Sequence, residues 1–248
     1  MKSIAPVCPG FFVTATDTGV GKTLVTALLV RRLREQGVMA FPMKPVQTGC
    51  ARAQTGRNTA PVLSAPDLEF CLNRNGLTLD ATDRDCLAPF RFVKACSPHL
   101  AARLARKHIS VRVVCQAVQR AALRFGCLVV EGAGGVLVPL KKSETLLDLM
   151  KALRLPVILV ARAGLGSINH TLLSLTVLRQ QGLTVSGVVI NRAVPGRGDI
   201  TVERDTINAI RAFGNTPILG NLPFRPLAIR SQASWHALAR NLGLPLAV

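Results

Sequence analysis

The sequence predicts an α/β fold with a mostly parallel β-sheet that is flanked by helices on both faces. Strand-like and helix-like segments alternate along the chain, and the strand-like segments are continuous apolar runs. Such runs indicate strands that are buried on both faces, as in a parallel sheet covered by helices. The chain has 248 residues, of which 49% are hydrophobic, so it can bury a sizeable core, and we expect a single domain over residues 1–248.

The first predicted strand and the first predicted helix enclose a phosphate-loop sequence. An apolar strand at 11–14 leads into ATDTGVGKT, residues 15–23, and an amphipathic helix follows at about 22–35. Backbone N–H groups, a helix N-terminus, a lysine and a hydroxyl for Mg²⁺ are the groups that bind a polyphosphate. The strict pattern has a glycine at position 16, where this chain has Thr16. The loop is therefore a variant that points to a subset of phosphate-loop proteins.

The remainder of the chain continues the alternation of strands and helices. An extended segment is expected at 39–45, where Pro42 indicates an edge strand, and a flexible polar loop is expected at about 51–66. Helices are predicted at 67–73, 97–107, 111–125, 146–153, 168–181, 201–213 and 231–242, and strands at 127–131, 156–161, 185–191 and 217–222. In sheets of this kind, ligands bind at the carboxyl ends of the strands.

The charge of the chain is strongly basic, with 31 Lys and Arg residues against 13 Asp and Glu residues and a net charge of +18. Such a balance can signal a nucleic-acid partner. However, the basic residues are dispersed, tyrosine is absent, and aromatic residues make up only 4% of the chain, which leaves few platforms for stacking bases. We therefore expect a solvated basic surface and no nucleic-acid partner.

The apolar segments and the cysteines indicate a cytoplasmic protein. No apolar run approaches the roughly 20 residues that a membrane helix needs, and the apolar N-terminal segment feeds the phosphate loop rather than forming a signal peptide. The seven cysteines contain no C-x-x-C pair, which argues against a metal site or a disulfide framework and indicates a reducing compartment. We expect no association with a membrane.

Two charged side chains end predicted apolar strands. Glu131 ends the strand at 127–131, where a carboxylate costs free energy unless it is solvated, paired or bound to metal. Opposite a phosphate loop it is a candidate Mg²⁺ ligand, with a salt bridge to a neighbouring lysine as the alternative. Lys44 follows an apolar segment and is a candidate to stabilise charge on a transferred phosphoryl group, with a solvated surface lysine as the alternative.

Six segments, in order along nearly the whole chain, together resemble the dethiobiotin synthetase family: ATDTGVGKT, MKPVQTGC, PDLEF, ACSPHLAA, VVEGAGGVLVPL and GLGSINHTLL. The KPVQTG and VEGAGG blocks are the most specific of these. The resemblance implies a P-loop NTPase-like fold and a cyclo-ligase that uses ATP and Mg²⁺ to carboxylate 7,8-diaminononanoate with CO₂, supplied as bicarbonate. Ring closure to dethiobiotin, through a carbamate and a carbamic-phosphoric anhydride, would release ADP and phosphate. The resemblance also implies a homodimer whose substrate site is shared across the interface.

The resemblance assigns roles to residues by position. It implies catalytic roles for Lys44, Lys22 and Thr18, with Thr18 close to the carbamate. It implies that Mg²⁺ is held by Thr23, Asp67 and Glu131. The implied substrate contacts are Thr18, Thr48, Gly166, Ser167 and Asn169, of which the last three open a helix that would receive the substrate carboxylate from the partner subunit. The implied ATP contacts are Gly19, Val20, Gly21, Lys22, Thr23, Leu24, Glu131, Gly132, Ala133, Gly134, Asn191, Pro223 and Phe224.

One departure from the family pattern and three alternative functions remain at this point. Ala15 stands where the family usually has glycine, which is harmless if its φ is negative and costly if its φ is positive. A glutamine-dependent synthetase of the cobyrinic acid type shares this kind of loop, but this chain is too short to contain the glutaminase domain of such an enzyme as well. A partition-type ATPase would suit the basic charge without needing the KPVQTG and SPHLAA blocks. A non-enzymatic nucleotide-binding module would bind ATP without turnover.

Overall fold

The computed structural model describes residues 9–53, 62–192, 199–224 and 232–243 of the chain, and strands and helices alternate through these ranges. The strands are β1 (Gly10–Ala15), β2 (Ala40–Met43), β3 (Val46–Thr48), β4 (Ala51–Ala53), β5 (Val62–Ser64), β6 (Phe90–Phe92), β7 (Cys127–Glu131), β8 (Pro139–Lys141), β9 (Glu144–Thr145), β10 (Val157–Arg162), β11 (Val185–Asn191) and β12 (Ile218–Leu222). The helices are α1 (Lys22–Glu35), α2 (Pro66–Asn75), α3 (Ala81–Leu87), α4 (Pro98–Leu104), α5 (Val111–Phe125), α6 (Leu146–Leu153), α7 (Ser167–Gln180), α8 (Ile200–Gly214) and α9 (Gln232–Arg240).

Six of the strands form one sheet in the order β12-β11-β10-β1-β7-β2. Every pairing in this sheet is parallel, and β1 lies inside it with β10 and β7 as neighbours. The predicted parallel sheet is confirmed. Pro42 lies in β2, at an edge of the sheet, as expected for a residue that cannot donate a ladder hydrogen bond.

Side chains of the central strands alternate between cores on opposite faces of the sheet. Phe11 and Val13 of β1 pack with side chains of α1 and α9, whereas Phe12 packs with side chains of α5 and α6. A further cluster joins β10 and β11 to α7 and α8. The three β1 side chains are at most 1% exposed. Helices therefore cover both faces, as the continuous apolar runs predict.

The loop expected at 51–66 needs correction at both of its ends. β4 and β5 pair in antiparallel fashion, with Arg52 opposite Leu63, and α2 begins at Pro66. A proline suits the first turn of a helix, because the N–H that it lacks would have no helical partner there. Residues 54–61 lie outside the described residues, so the flexibility expected of the middle of this segment stays a prediction.

The helix expected at 97–107 ends earlier, because the chain reverses after α4. Arg106 has a φ of 51°, in the left-handed region, and the backbone N–H of Lys107 donates to the carbonyl of Ala102 over 2.9 Å. These contacts close the last turn of the helix and direct the following residues away from its axis. Five further short elements, α3, β3, β6, β8 and β9, were not expected from the sequence.

Two further expectations concern the helices and the cysteines. No helix among the described residues has both the length and the apolar character to cross a bilayer. The described cysteines are free thiols: Cys50, Cys71, Cys86, Cys96, Cys115 and Cys127. Burial raises the pKa of Cys127 to about 11 and raises that of Cys71 well above its ordinary value, so both are neutral thiols at pH 7.

We predict that Gly10→Ala destabilises the sheet severely. Gly10 has a φ of 138°, and a Cβ there would lie 1.9 Å from the carbonyl oxygen of Leu128 in β7. We expect a loss of about 3 kcal/mol or more in the free energy of unfolding, measured with urea. Gly37→Ala is the matched control, since its φ is 82° with no atom within 4 Å of the added carbon, and backbone strain alone costs about 1 kcal/mol. Equal losses in the two variants would contradict the proposed clash.

Candidate functional site

A cavity of about 650 Å³ lies at the carboxyl ends of β1, β2 and β7. It is where the fold predicts a ligand, because polar and glycine-rich segments follow these strands. Sequence-predicted residues that line it are Thr18, Gly19, Gly21, Lys22, Thr23, Lys44, Thr48, Asp67, Glu131, Ala133 and Gly134. The structure therefore brings together side chains that are more than 100 positions apart, as in the hydrogen bond between Thr23 and Glu131, which are separated by 108 positions.

The phosphate loop and the start of α1 line one wall of this cavity. Gly19 and Gly21 have φ values of 71° and 106°, a conformation that suits glycine, and α1 begins at Lys22 directly after them. The start of α1 has no side-chain cap and no acidic residue in its first turn. The first N–H groups of the helix are thus available to an anion, which the helix dipole also favours. Ala15 ends β1 without a positive φ, so its methyl group introduces no backbone strain.

Asn191, at the carboxyl end of β11, holds the phosphate loop by a hydrogen bond. It ends β11, is 3% exposed, and its Nδ2 donates to the carbonyl oxygen of Val20 over 2.7 Å. A Cβ at Gly21 would lie 2.1 Å from Nδ2, so glycine is needed there for the close approach of Asn191 as well as for its φ. In the sheet register Asn191 pairs with Leu222, which places the following Pro223 and Phe224 at the same edge. Val20, Leu24, Gly132, Asn191, Pro223 and Phe224 are not among the residues that line the cavity.

A buried cluster of charges lies at the centre of the cavity. The Lys44 ammonium lies 2.7 Å from Glu131 Oε1 and 2.8 Å from Asp67 Oδ2, and it donates to the Gly132 carbonyl over 2.9 Å. Thr23 Oγ1 donates to the same Glu131 oxygen over 2.9 Å. Lys44 is 5% exposed and Glu131 is 2% exposed. One buried cation therefore contacts two carboxylates, and the salt bridge between Glu131 and a neighbouring lysine is present.

Burial and neighbouring charges set the protonation of this cluster. Burial alone would lower the pKa of Lys44, but Glu131 and Asp67 outweigh it, and the pKa lies above its ordinary value. Burial alone would raise the pKa of Asp67, but the Lys44 ammonium outweighs it, and the pKa lies below its ordinary value. Lys44 is therefore an ammonium and Asp67 a carboxylate at neutral pH.

Lys22 lies beside this cluster, and its pKa is shifted in the opposite direction from that of Lys44. Its ammonium donates to the Asp17 carbonyl over 3.1 Å, and the side chain is 6% exposed. Burial, reinforced by the nearby Lys44 ammonium, lowers the pKa of Lys22 to about 8. A negatively charged phosphate in the loop would favour the charged form of this lysine.

The residues expected to hold Mg²⁺ have suitable donor atoms. Thr23 offers a hydroxyl, and Asp67 and Glu131 offer carboxylates that both lie against one cation, the Lys44 ammonium. Among the described residues, His, Cys, Asp and Glu form no group of three that could hold a metal. Mg²⁺ needs no such group, since it binds through one or two carboxylates together with water and phosphate oxygens. The metal roles of these three residues fit the structure and stay a prediction.

The predicted substrate residues fall into two places. Thr18 and Thr48 line the cavity, and Thr18 lies beside Gly134, where a Cβ would be 3.4 Å from its hydroxyl oxygen. The other three predicted contacts, Gly166, Ser167 and Asn169, lie at the start of α7 and do not line the cavity. Their role toward a substrate held by another subunit is not tested by the single chain.

Several lining residues were missed by the sequence analysis. Gln47 is 5% exposed, and its Oε1 accepts from the backbone N–H of Asp67 over 3.3 Å, so it holds the start of α2 against β3. The other missed residues are Val46, Ala95, Cys96, Ser97, Pro98 and Val138. The KPVQTG and ACSPHLAA blocks contain most of them and are the signal that could have identified them.

Comparison with known proteins gives both a family and a fold. A family model described as an AAA domain matches residues 9–232. The ATP-dependent dethiobiotin synthetase BioD of Anaeromyxobacter dehalogenans strain 2CP-C is 38% identical over 234 residues, which cover 94% of this chain and 98% of that protein. The protein with the same name from Methanococcus vannielii is 38% identical over 209 residues, which cover 84% of this chain and 90% of that protein.

Solved structures with low sequence identity share the fold. The septum site-determining protein MinD from Pyrococcus horikoshii, complexed with Mg-ADP, superposes with a TM-score of 0.57 at 16% identity, covering 94% of each chain. A ParA family ATPase from Chlorobium tepidum gives a TM-score of 0.53 at 14% identity, covering 94% of this chain and 91% of that one. Both likenesses confirm the P-loop NTPase-like fold.

We predict that Lys44→Met lowers the stability of the protein. The substitution keeps most of the side-chain length and leaves Glu131 and Asp67 without their cation, and breaking a buried pair commonly costs about 3 kcal/mol. Urea unfolding at pH 7.5 without metal or nucleotide measures the loss. Lys151→Met is the control, because the exposed Lys151 donates to the Gln181 side-chain oxygen at the surface, and we expect a change within about 0.5 kcal/mol. An equal effect of both variants would contradict the importance of the buried cluster.

Proposed function

The chain belongs to the family of ATP-dependent dethiobiotin synthetases, and we propose that it converts 7,8-diaminononanoate, CO₂ and ATP to dethiobiotin, ADP and phosphate with the help of Mg²⁺. It is accordingly a ligase of biotin biosynthesis that uses ATP. The proposal of this particular reaction rests on one observation. Lys44 is buried and contacts Glu131 and Asp67 in the same cavity as the phosphate loop and Thr18.

The proposed reaction forms two carbon–nitrogen bonds. One amine nitrogen of the diamine attacks the carbon of CO₂ and loses a proton, which gives a carbamate. A carbamate oxygen then attacks the γ-phosphorus of ATP, and the bond to the bridging oxygen breaks to release ADP. The second amine nitrogen attacks the carbonyl carbon of the resulting anhydride, loses a proton, and expels phosphate as the ring closes.

The two lysines suit the phosphoryl-transfer step. Phosphoryl transfer needs positioning and charge neutralisation more than a covalent nucleophile. Lys22, at the first turn of α1, would contact the transferring phosphoryl group, and Lys44 would stabilise the charge that develops on it. Thr18 would contact the carbamate, and Thr48 would contact the diamine.

Thr23, Asp67 and Glu131 would hold Mg²⁺ beside the phosphate loop, where the ion would supply further neutralisation of phosphate charge. The adenine pocket would be formed by Asn191, Pro223 and Phe224. In support, Asn191 Oδ1 is buried and has no hydrogen-bond partner within the described part of the chain. Such an amide oxygen is available to accept a hydrogen bond from an adenine amino group.

We also propose a homodimer in which the start of α7 completes the partner's substrate site. Gly166, Ser167 and Asn169 open α7 outside the cavity of their own chain, and the uncapped N-terminus would bind the substrate carboxylate. Large apolar side chains are exposed just before α7, on α7 and on α8: Leu165 is 97% exposed, Leu173 is 57% and Phe213 is 79%. Their burial by a second copy would stabilise such a dimer. We propose further that the protein is a single domain and is located in the cytoplasm.

The reaction is tested by incubating the protein with MgATP, bicarbonate and 7,8-diaminononanoate. We expect phosphate release that requires the diamine, with dethiobiotin identified by its mass. Omission of bicarbonate and of the diamine provide the two controls. Hydrolysis of ATP that needs no diamine and is stimulated by DNA would instead support a partition-type ATPase, and nucleotide binding without any turnover would support a binding module.

We predict that Lys22→Ala and Lys44→Ala each lower the rate of this reaction at least ~100-fold, because each removes a charge that stabilises the transferring phosphoryl group. Circular dichroism is expected to show that both variants retain the fold. Lys151→Ala is the control for loss of a lysine outside the cavity, and its rate should match that of the unsubstituted protein. Near-normal turnover in either of the first two variants would rule out the proposed roles.

A further inference from the structure

A second cavity, of about 900 Å³, lies outside the site described above. It is bounded by the end of α4, by the segment that follows α4, and by the hairpin of β8 and β9. Five basic side chains line it, namely those of Arg103, Arg106, Lys107, Lys141 and Lys142. The proposed reaction uses none of these residues.

The charge of this basic cavity is largely uncompensated. The described residues that line it include neither Asp nor Glu. Within the described part of the chain, Lys141 has a carboxylate partner, with its ammonium 3.0 Å from Glu144 Oε1, and the other four basic side chains have none. Like charges that are held together in this way repel one another and raise the local potential, which attracts anions.

The backbone segments that carry these side chains rest on a buried floor. Ile109 and Leu140 line the cavity, and each is 1% exposed. The reversal after Leu104 brings Arg103, Arg106 and Lys107 to the cavity from one end of α4, and β8 brings Lys141 from the opposite wall. The cations therefore border a concave space with a buried apolar base rather than lying along an open helix.

The shape and the lining favour a small phosphate-bearing anion over a nucleic acid. The volume is within the range of small-molecule sites, and the lining contains no Phe, Tyr or Trp on which a base could stack. Arginine and lysine are the side chains that suit phosphate oxygens, and His99 and His108 add ring nitrogens to the same wall. Several negative charges on one ligand are needed to balance the cluster.

We propose that the basic cavity is a second anion site, which binds a small ligand carrying a polyphosphate group. It is separate from the phosphate loop, since no residue lines both cavities. The source of the polyphosphate is either an inorganic chain or a nucleotide, and both present the same phosphate oxygens to the cations.

Calorimetric titration of the full chain with inorganic tripolyphosphate tests this proposal. We expect two sites per chain in the unsubstituted protein, one in the phosphate loop and one in the basic cavity. Lys22→Ala should weaken the first and leave the second unchanged, so that the cavity site is measured even if the proposed reaction is wrong. Raising the salt concentration should weaken the cavity site strongly, because its cations are mostly exposed.

Two triple variants form a matched pair. One reverses three positive charges in the basic cavity, and the other reverses three positive charges elsewhere on the surface. Arg106→Glu with Lys107→Glu and Lys142→Glu should weaken the second site at least about tenfold, since each change replaces an attraction with a repulsion. The control variant, Arg120→Glu with Arg204→Glu and Arg240→Glu, changes the net charge equally on exposed residues outside both cavities, and it should retain the site. Equal affinities in the two triple variants, or no binding of tripolyphosphate to the Lys22→Ala protein, would overturn the proposal.

Competition identifies the source of the polyphosphate in the Lys22→Ala background. Displacement of tripolyphosphate by GTP at equal concentration supports a nucleotide, and a lack of displacement supports an inorganic chain. Binding of single-stranded RNA that strengthens with the length of the RNA, without measurable binding of tripolyphosphate, would overturn the small-ligand proposal in favour of a nucleic-acid surface.

Discussion

The contact of Lys44 with Glu131 and Asp67 is the interaction on which the candidate site depends. Glu131 ends a strand inside the sheet, Lys44 follows the edge strand β2, and Asp67 lies in the first turn of α2. Each charge would be costly to bury alone, and together they hold three separate elements around one cavity. The position of the phosphate loop against these elements is fixed by Thr23, which donates to the same Glu131 oxygen.

Most of the parallel sheet could be predicted because each of its strands contains a continuous apolar run that is recognisable in its own segment of sequence. The runs at 128–130 and 188–190 are apolar throughout, and both faces of the sheet are covered in the structure. The missed strands have two or three residues, too few for any period to be recognised. The pair β4 and β5 is also held by contacts between strands, and these contacts are not visible in either segment alone.

The site could be predicted where its functional side chains lie in the phosphate loop or directly at the ends of strands. Lys22 and Lys44 were found from their positions in the phosphate loop and at a strand end, Thr18 was found from the family resemblance, and all three line one cavity. Gln47 and Pro98 were missed because their place at the cavity follows from packing between distant segments. The basic cavity was missed for the same reason, since Arg106 and Lys141 are 35 positions apart in a chain whose basic residues are dispersed throughout.

The hydrogen bond from Asn191 to Val20 spans 171 positions and has a consequence for the order of folding. β1 pairs with strands that begin at Cys127 and Val157, and the loop that follows it is then held by a residue from still later in the chain. During synthesis the segment that carries the phosphate loop emerges before its neighbours in the sheet, which begin at residues 127 and 157 of 248. A nascent chain that lacks β11 therefore cannot set this loop in its final conformation, and the ability to bind nucleotide arises late in synthesis.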